Sequence, residues 1–114
     1  MTKNNKLGRL RKRSEFLFVR DGQYRAIGGV VIQMRKNPLE TDQIRVGFTA
    51  TRKIGGAVQR NRAKRRLRAC ARTLLPQYGL AGYDYVFIAR DGTISRQYDL
   101  LLDDVKKALL TLAK

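Results

Sequence analysis

Val58-Gln59-Arg60-Asn61-Arg62-Ala63-Lys64-Arg65-Arg66-Leu67-Arg68-Ala69-Cys70-Ala71-Arg72-Thr73-Leu74-Leu75 reads as one amphipathic helix, and its two faces organise the rest of the chain around it. At about 100° per residue, Ala63, Leu67, Cys70 and Leu74 fall on a narrow apolar stripe that must face a core. Asn61, Arg65, Arg68 and Arg72 repeat that spacing on the opposite side, with Arg60, Arg62, Lys64 and Arg66 along the flanks. From Arg52 to Arg72 there are nine basic residues and no acidic one. Like charges four residues apart on a helix repel, so this face is costly unless an anion meets it. A phosphate backbone does so, through ion pairs and counterion release. Helix faces that only meet solvent usually mix both signs. Arginine outnumbers lysine here by seven to two, which favours forked contacts to phosphates and bases.

Outward from this helix, Lys53-Ile54-Gly55-Gly56 is a turn leading in, and Pro76 and Gly79 lead out. Upstream, Tyr24 to Arg35 reads as extended, interrupted at Gly28-Gly29. The Asn37-Pro38 turn then leads to a second strand, Ile44 to Thr51, and the pair is expected to form a hairpin. Alternation puts Val30, Ile32 and Met34 with Val46, Phe48 and Ala50 on a core face. It leaves Val31, Gln33, Arg35, Arg45, Gly47, Thr49 and Thr51 on an open, polar one. Downstream, Tyr83 to Arg90 is a strand, and Asp99 can cap a last helix to about Leu112 with Leu101, Val105, Ala108 and Leu112 as its buried stripe. At the other end, Ser14 can cap a short helix to about Arg20 that sets Phe16 and Val19 on one side. Residues 1–12 read as a flexible basic arm. The expected fold class is α+β, a single two-layer α-β sandwich over residues 1–114, in the order α-β-β-(β)-α-β-α.

Composition agrees with one domain that meets a polyanion. The chain has 114 residues, 43% of them hydrophobic, and a net charge of +16. So much charge repels itself, and a polyanionic partner is the natural reason to carry it. No apolar stretch approaches the roughly 20 residues a membrane span needs, and the basic start lacks the apolar core of a secretory signal. A single cysteine, Cys70, suits a reducing cytoplasm, and its place on the apolar stripe predicts a buried, inert thiol. With no histidine, one cysteine and nine scattered acids, neither a Cys/His metal site nor a cluster of catalytic carboxylates can be assembled. Asp103-Asp104 stand before Lys106 and Lys107 and read as a solvated, ion-paired helix face rather than a metal pair.

The run Gly47-Phe48-Thr49-Ala50-Thr51-Arg52-Lys53-Ile54-Gly55-Gly56-Ala57-Val58-Gln59-Arg60-Asn61-Arg62-Ala63-Lys64-Arg65 resembles the signature of the bacterial ribonuclease P protein family. Arg9-Leu10, Phe16 and Val86-Phe87-Ile88-Ala89-Arg90 agree as well, and length and element order match throughout. The resemblance implies a ribosomal-protein-like sandwich with a left-handed strand-helix-strand crossover. It implies a protein that assists a catalytic RNA in removing the 5′ leader of precursor tRNA, with no catalytic residue of its own. Lys53, Arg60, Asn61, Arg62, Lys64, Arg65 and Arg68 would contact that RNA and the neighbouring substrate. A cleft between the middle helix and the open sheet face would hold the single-stranded leader. Phe16 would line it, while Gln33 and Thr49 project from the polar face. Read without the resemblance, Phe16 fits a core position better than a binding one; the resemblance brings the two readings level. Magnesium would be held mainly by the RNA, with no organic cofactor, no metal site on the protein, and neither membrane nor DNA as partner. Three positions depart from the family pattern: Gly56 and Gln33 replace a frequent Asn and Tyr, and Arg20 replaces a second aromatic. Leader binding is then expected to rely more on charge than on stacking. The competing reading is a ribosomal or other structural RNA-binding protein.

Overall fold

The computed structural model describes residues 7–39 and 41–114; residues 1–6 of the expected arm lie outside them. In chain order the elements are β1 (Gly8–Arg9), α1 (Arg13–Arg20), β2 (Gln23–Ile27), β3 (Val30–Lys36), β4 (Arg45–Thr49), a 3-10 turn (Arg52–Ile54), α2 (Ala57–Tyr78), β5 (Tyr83–Ala89), α3 (Gly92–Ser95) and α4 (Tyr98–Leu112). The strands form one sheet in the order β1-β4-β5-β3-β2, so helices and a single mixed sheet make the expected α+β fold. Strand β5 runs antiparallel to β3 and parallel to β4, and α2 is the crossover that links β4 to β5.

The expected hairpin between the Tyr24–Arg35 and Ile44–Thr51 segments does not form, because β5 stands between β3 and β4. The true hairpin lies inside the first segment, with β2 paired to β3 through the Gly28-Gly29 turn. Period-two alternation fixes which face a residue takes, and any neighbour on that sheet satisfies it equally. The mark of the central strand is in β5 itself. Asp84, Tyr85, Val86 and Phe87 are all buried, so β5 is covered on both faces, whereas β3 alternates.

Helices α2 and α4 cover one sheet face. Val30, Ile32, Met34, Val46, Tyr85 and Phe87 meet Ala63, Leu67, Cys70 and Leu75 of α2 and Leu101, Val105, Ala108 and Leu112 of α4 in the main core. The second face is not open throughout. Helix α1 lies over part of it, closing a smaller cluster of Leu10, Val19 and Val86 with Phe16, Phe18 and Ile88. Residues 7–12 are likewise no free arm, since β1 pairs with β4 and Leu10 is buried.

Element ends differ from expectation for local reasons. Helix α1 starts one residue earlier than Ser14 because Glu15 supplies the cap, its Oε1 accepting the Arg11 and Lys12 N–H groups at 2.7 and 2.9 Å. Helix α2 runs past Leu75 through Pro76 to Tyr78, held by buried Leu74 and Leu75, and the Gly79 N–H donates to Leu75 O at 2.8 Å. Helix α4 is entered from Gln97 rather than capped by Asp99. Asp103 is exposed and pairs with Lys107 at 3.1 Å, as expected. Asp104 is not solvated: its Oδ2 accepts from Gly29 N at 2.9 Å and Arg96 Nε at 2.6 Å. It thereby docks the β2–β3 turn onto α4. Gly28 has φ 52°, and a Cβ there would stand 2.2 Å from Asp104 Oδ2.

Candidate nucleic-acid interface

Burial of the α2 stripe against the sheet fixes what the helix shows outward. Asn61, Arg62, Arg65, Arg68 and Arg72 are exposed, while Arg60 and Lys64 are half-buried on its flanks. Four ion pairs occur among the described residues, and none uses a cation of α2 or of the turn before it. This field is therefore not neutralised from within the described fold. Lys53 is exposed in the 3-10 turn, whose shape is set by Thr51 Oγ1 accepting the Lys53 N–H at 3.4 Å. The following Gly56 N–H donates to Gln59 Oε1 at 3.1 Å. Only that oxygen, at 3.4 Å, lies near a would-be Cβ on Gly56, so the fold does not require glycine there.

One arginine of the run has a different task. Arg66 donates to the carbonyl oxygens of Ile94 and Arg96 and stands 5.9 Å from the Tyr98 ring centre. It ties α2 to the α3–α4 segment. Cys70, fully buried on the inner stripe, has its thiol pushed up chiefly by that burial.

Beside the cationic face lies a cleft of about 670 Å³, lined by Leu7, Arg9, Leu10, Phe16, Val46, Gly47, Phe48, Lys64, Arg68, Ala71 and Arg72. It sits against β4 where the short β1 stops. Its walls are α2, the β1 segment and the Phe16 ring; its rim is cationic and its floor apolar. The Arg68 guanidinium lies 5.3 Å from the Phe48 ring centre, which leans its charge over the cleft. Phe16 is half-buried: it packs against the small cluster and also lines the cleft. Its ring rests on Gly47, where a Cβ would come within 2.5 Å of Phe16 Cζ.

The start of α1 is tied to the sheet by charge. Arg45 on β4 donates from Nε and Nη2 to the two oxygens of Asp84 at 2.9 and 2.6 Å, and from Nη1 to Glu15 Oε2 at 3.3 Å. Asp84 is fully buried, so this pairing is what makes its charge tolerable.

Of the residues singled out in the sequence, the cleft brings together Phe16, Lys64 and Arg68. Lys53, Arg60, Asn61, Arg62 and Arg65 lie outside it, in and before the first half of α2. Gln33 and Thr49 are half-buried on the sheet face that carries α1, opposite Val86 and Ile88 of β5, and neither lines the cleft. Opposite Gln33 on its other side stands Tyr24, 68% exposed, which no pattern in the sequence marks out. Arg9, Leu10 and Arg72 join the cleft without being expected there. Arg72 is legible on the cationic stripe, but a β1 strand of two residues leaves no periodicity to find. Among the described residues no group of three or more Asp, Glu, Cys or His could hold a metal ion. None of their helices is long and apolar enough to cross a membrane.

Comparison with known proteins gives one answer. The sequence pattern of the family described as Ribonuclease P matches residues 4–113. The chain is 56% identical over 108 residues to the Ribonuclease P protein component of Caulobacter vibrioides, covering 95% of this chain and 72% of that one. With the Ribonuclease P protein component of Ruegeria pomeroyi it shares 51% over 102 residues, covering 88% and 82%. The solved RNase P protein of Staphylococcus aureus superposes with a TM-score of 0.76 at 27% identity, over 96% of this chain and 97% of that one. That of Thermotoga maritima gives 0.76 at 29%, over 90% and 96%.

Proposed function

This chain belongs to the bacterial ribonuclease P protein family, and from that premise we propose which of its surfaces serve the two RNAs it meets. The family function is its function: with an RNA subunit that carries the catalysis, it matures the 5′ ends of tRNA as part of an endoribonuclease. The partner RNA follows from that membership; the assignment of residues is our reading.

The observation that carries it is the un-neutralised cationic face of α2 running into a cleft that holds an aromatic ring. Exposed Arg62 and Arg65, with Arg60, Asn61 and Lys53, meet phosphates of the RNA subunit and of the substrate body. The cleft of Phe16, Lys64, Arg68, Arg9 and Arg72 takes the single-stranded leader. There the cations follow the backbone and Phe16 offers a stacking surface. Gln33 and Thr49 would meet leader nucleotides only if the strand extends over the α1 face of the sheet. Magnesium belongs to the RNA in this scheme, because the described residues present no cluster of ligands to fit it. No step of hydrolysis is assigned to this chain. A cytoplasmic location is part of the same proposal, since precursor tRNA is made there.

The test is a titration of holoenzyme with leader-bearing and leaderless tRNA. Phe16→Ala should shrink the affinity gap between them by about 1–3 kcal/mol, the range of a base–aromatic stack. Arg65→Ala should weaken both ligands alike, as a backbone contact would. Equal losses for both ligands with Phe16→Ala would return Phe16 to a purely structural role.

A further inference from the structure

We propose that β4 is a positioning strand for leader recognition: Gly47 leaves the space that seats the Phe16 ring, and Arg45, two residues earlier, fixes the helix that carries it. The inference rests on the leader reading above and concerns how that cleft is kept in shape.

Glycine in the middle of a strand is unfavourable, because it loses more chain entropy than any other residue and packs nothing. Gly47 sits in the β4 ladder opposite Val86, and it is not among the positive-φ glycines Gly28, Gly55 and Gly82. Its backbone therefore accepts any residue, and the reason for glycine must be space. A Cβ at this position would meet Phe16 Cζ at 2.5 Å, Phe16 Cε2 at 2.7 Å and Leu10 Cβ at 3.1 Å. The two nearest atoms are the far end of a side chain. A methyl group there would push the ring aside before it disturbed the sheet. Gly47, Phe16 and Leu10 all line the cleft, so that displacement changes its wall.

The second device acts on the same ring from its backbone. Asp84 is fully buried and holds the Arg45 guanidinium by two hydrogen bonds, which leaves Nη1 directed at Glu15 Oε2, 3.3 Å away. The other oxygen of Glu15 accepts the Arg11 and Lys12 N–H groups at the start of α1. Phe16 is the next residue. Arg45 thus ties the beginning of α1, and the Arg9–Leu10 segment just before it, to the strand that seats the ring. Two supports two residues apart on one strand and one sheet face hold a single side chain in the wall of the cleft.

A role in fold stability alone would predict losses that ignore the leader. The experiment is a double-mutant cycle on reconstituted holoenzyme, reading the ratio of affinities for leader-bearing and leaderless tRNA in wild type, Phe16→Ala, Gly47→Ala and the double variant. Gly47→Ala should lower the ratio by about tenfold, the scale of one base–aromatic stack, with little change for leaderless tRNA. In the Phe16→Ala background it should lower it no further, because the ring it displaces is gone. Glu15→Gln, which removes the charge that Arg45 grips, should move the ratio in the same direction by less. That arm does not depend on Gly47→Ala folding. If Phe16→Ala leaves the ratio unchanged, the leader reading itself fails. If Phe16→Ala lowers it while Gly47→Ala and Glu15→Gln do not, or if the Gly47 and Phe16 losses multiply, the leader reading stands and the positioning role is overturned.

Discussion

Glu15 shows how much one side chain can organise without being buried. Its carboxylate accepts two backbone N–H groups at the start of α1 and meets Arg45 with its second oxygen. The Lys12 and Arg11 N–H groups hold its carboxyl below the usual value of 4.5 against an opposing effect of burial, and the Arg45 charge adds a smaller push in the same direction as the N–H groups. A carboxylate whose folded pKa is depressed stabilises the fold above its unfolded pKa and loses that contribution as pH falls through the folded one. Glu15→Ala is therefore expected to cost about 1 kcal/mol at neutral pH, the usual scale for removing a cap. In urea unfolding the difference from wild type should shrink toward pH 3. A cost that stays constant from pH 7 to pH 3 would mean that the side chain acts by packing rather than by charge. The sequence does not reveal this role, because a capping carboxylate and a solvated one look alike until the strand opposite is known. Asp104 reads as solvated for the same reason. Its partners Gly29 and Arg96 lie 75 and 8 residues away, and only the fold brings them together.

At the scale of elements, helices with a sharp apolar stripe are legible in the sequence and strand neighbours are not. The α2 stripe of Ala63, Leu67, Cys70 and Leu74 and the α4 stripe of Leu101, Val105, Ala108 and Leu112 are buried as their spacing requires. The sheet faces of β3 and β4 follow from alternation too, but their adjacency does not, since β5 enters between them after a long helical crossover. Helix α1 is evident as an element; its seat on the expected open face is not, because eight residues with Phe16, Phe18 and Val19 do not say which surface they cover. The site divides along the same line. The cations of α2 can be read from periodicity, whereas the cleft needs the β1 segment, α1, β4 and α2 brought together by the fold. Adjacent Arg65 and Arg66 make the distinction measurable. Arg66 spans from α2 to the carbonyls of Ile94 and Arg96, while exposed Arg65 makes no ion pair among the described residues. Arg66→Ala should cost about 1–3 kcal/mol of stability, the scale of losing charge-assisted hydrogen bonds to partly buried carbonyls. Arg65→Ala should stay within about 0.5 kcal/mol of wild type and weaken RNA binding instead. Chemical denaturation of both variants checks this, and a reversed order would show the faces of α2 to be assigned the wrong way round.

Across the whole molecule, charge is sorted by surface. The net charge is +16, yet residues 91–114 hold four cations and four anions, while Arg52 to Arg72 hold nine cations and no anion. The molecule measures 38 × 29 × 23 Å, several times the Debye length of about 8 Å at physiological salt. Its field is therefore strong over α2 and over the basic run Arg9 to Arg13 beside the cleft, while α4 presents a nearly neutral back. Such a shape suits a protein set between two RNAs that would otherwise repel. On the reading proposed above, magnesium would have to screen that repulsion as well as serve the reaction when the RNA subunit acts without the protein. Cations fixed on α2 would then take over part of the screening, so the protein should lower the magnesium concentration at which the RNA subunit binds precursor tRNA. Arg65→Ala and Arg68→Ala together should raise that midpoint again. Each arginine–phosphate pair removed should also flatten the dependence of log affinity on log monovalent salt by about 0.7–0.9. Lys107→Ala, on the balanced back of the molecule and paired with Asp103, should change neither quantity. The measurement is binding of precursor tRNA across a magnesium series at fixed monovalent salt, then across a salt series at fixed magnesium. An unshifted magnesium midpoint in the double variant, with affinity reduced equally at every magnesium concentration, would mean that these arginines bind specific phosphates but do not screen. Precursor-tRNA cleavage by rigorously RNA-free protein in magnesium would go further and place chemistry on this chain, against the division of labour its charge pattern supports.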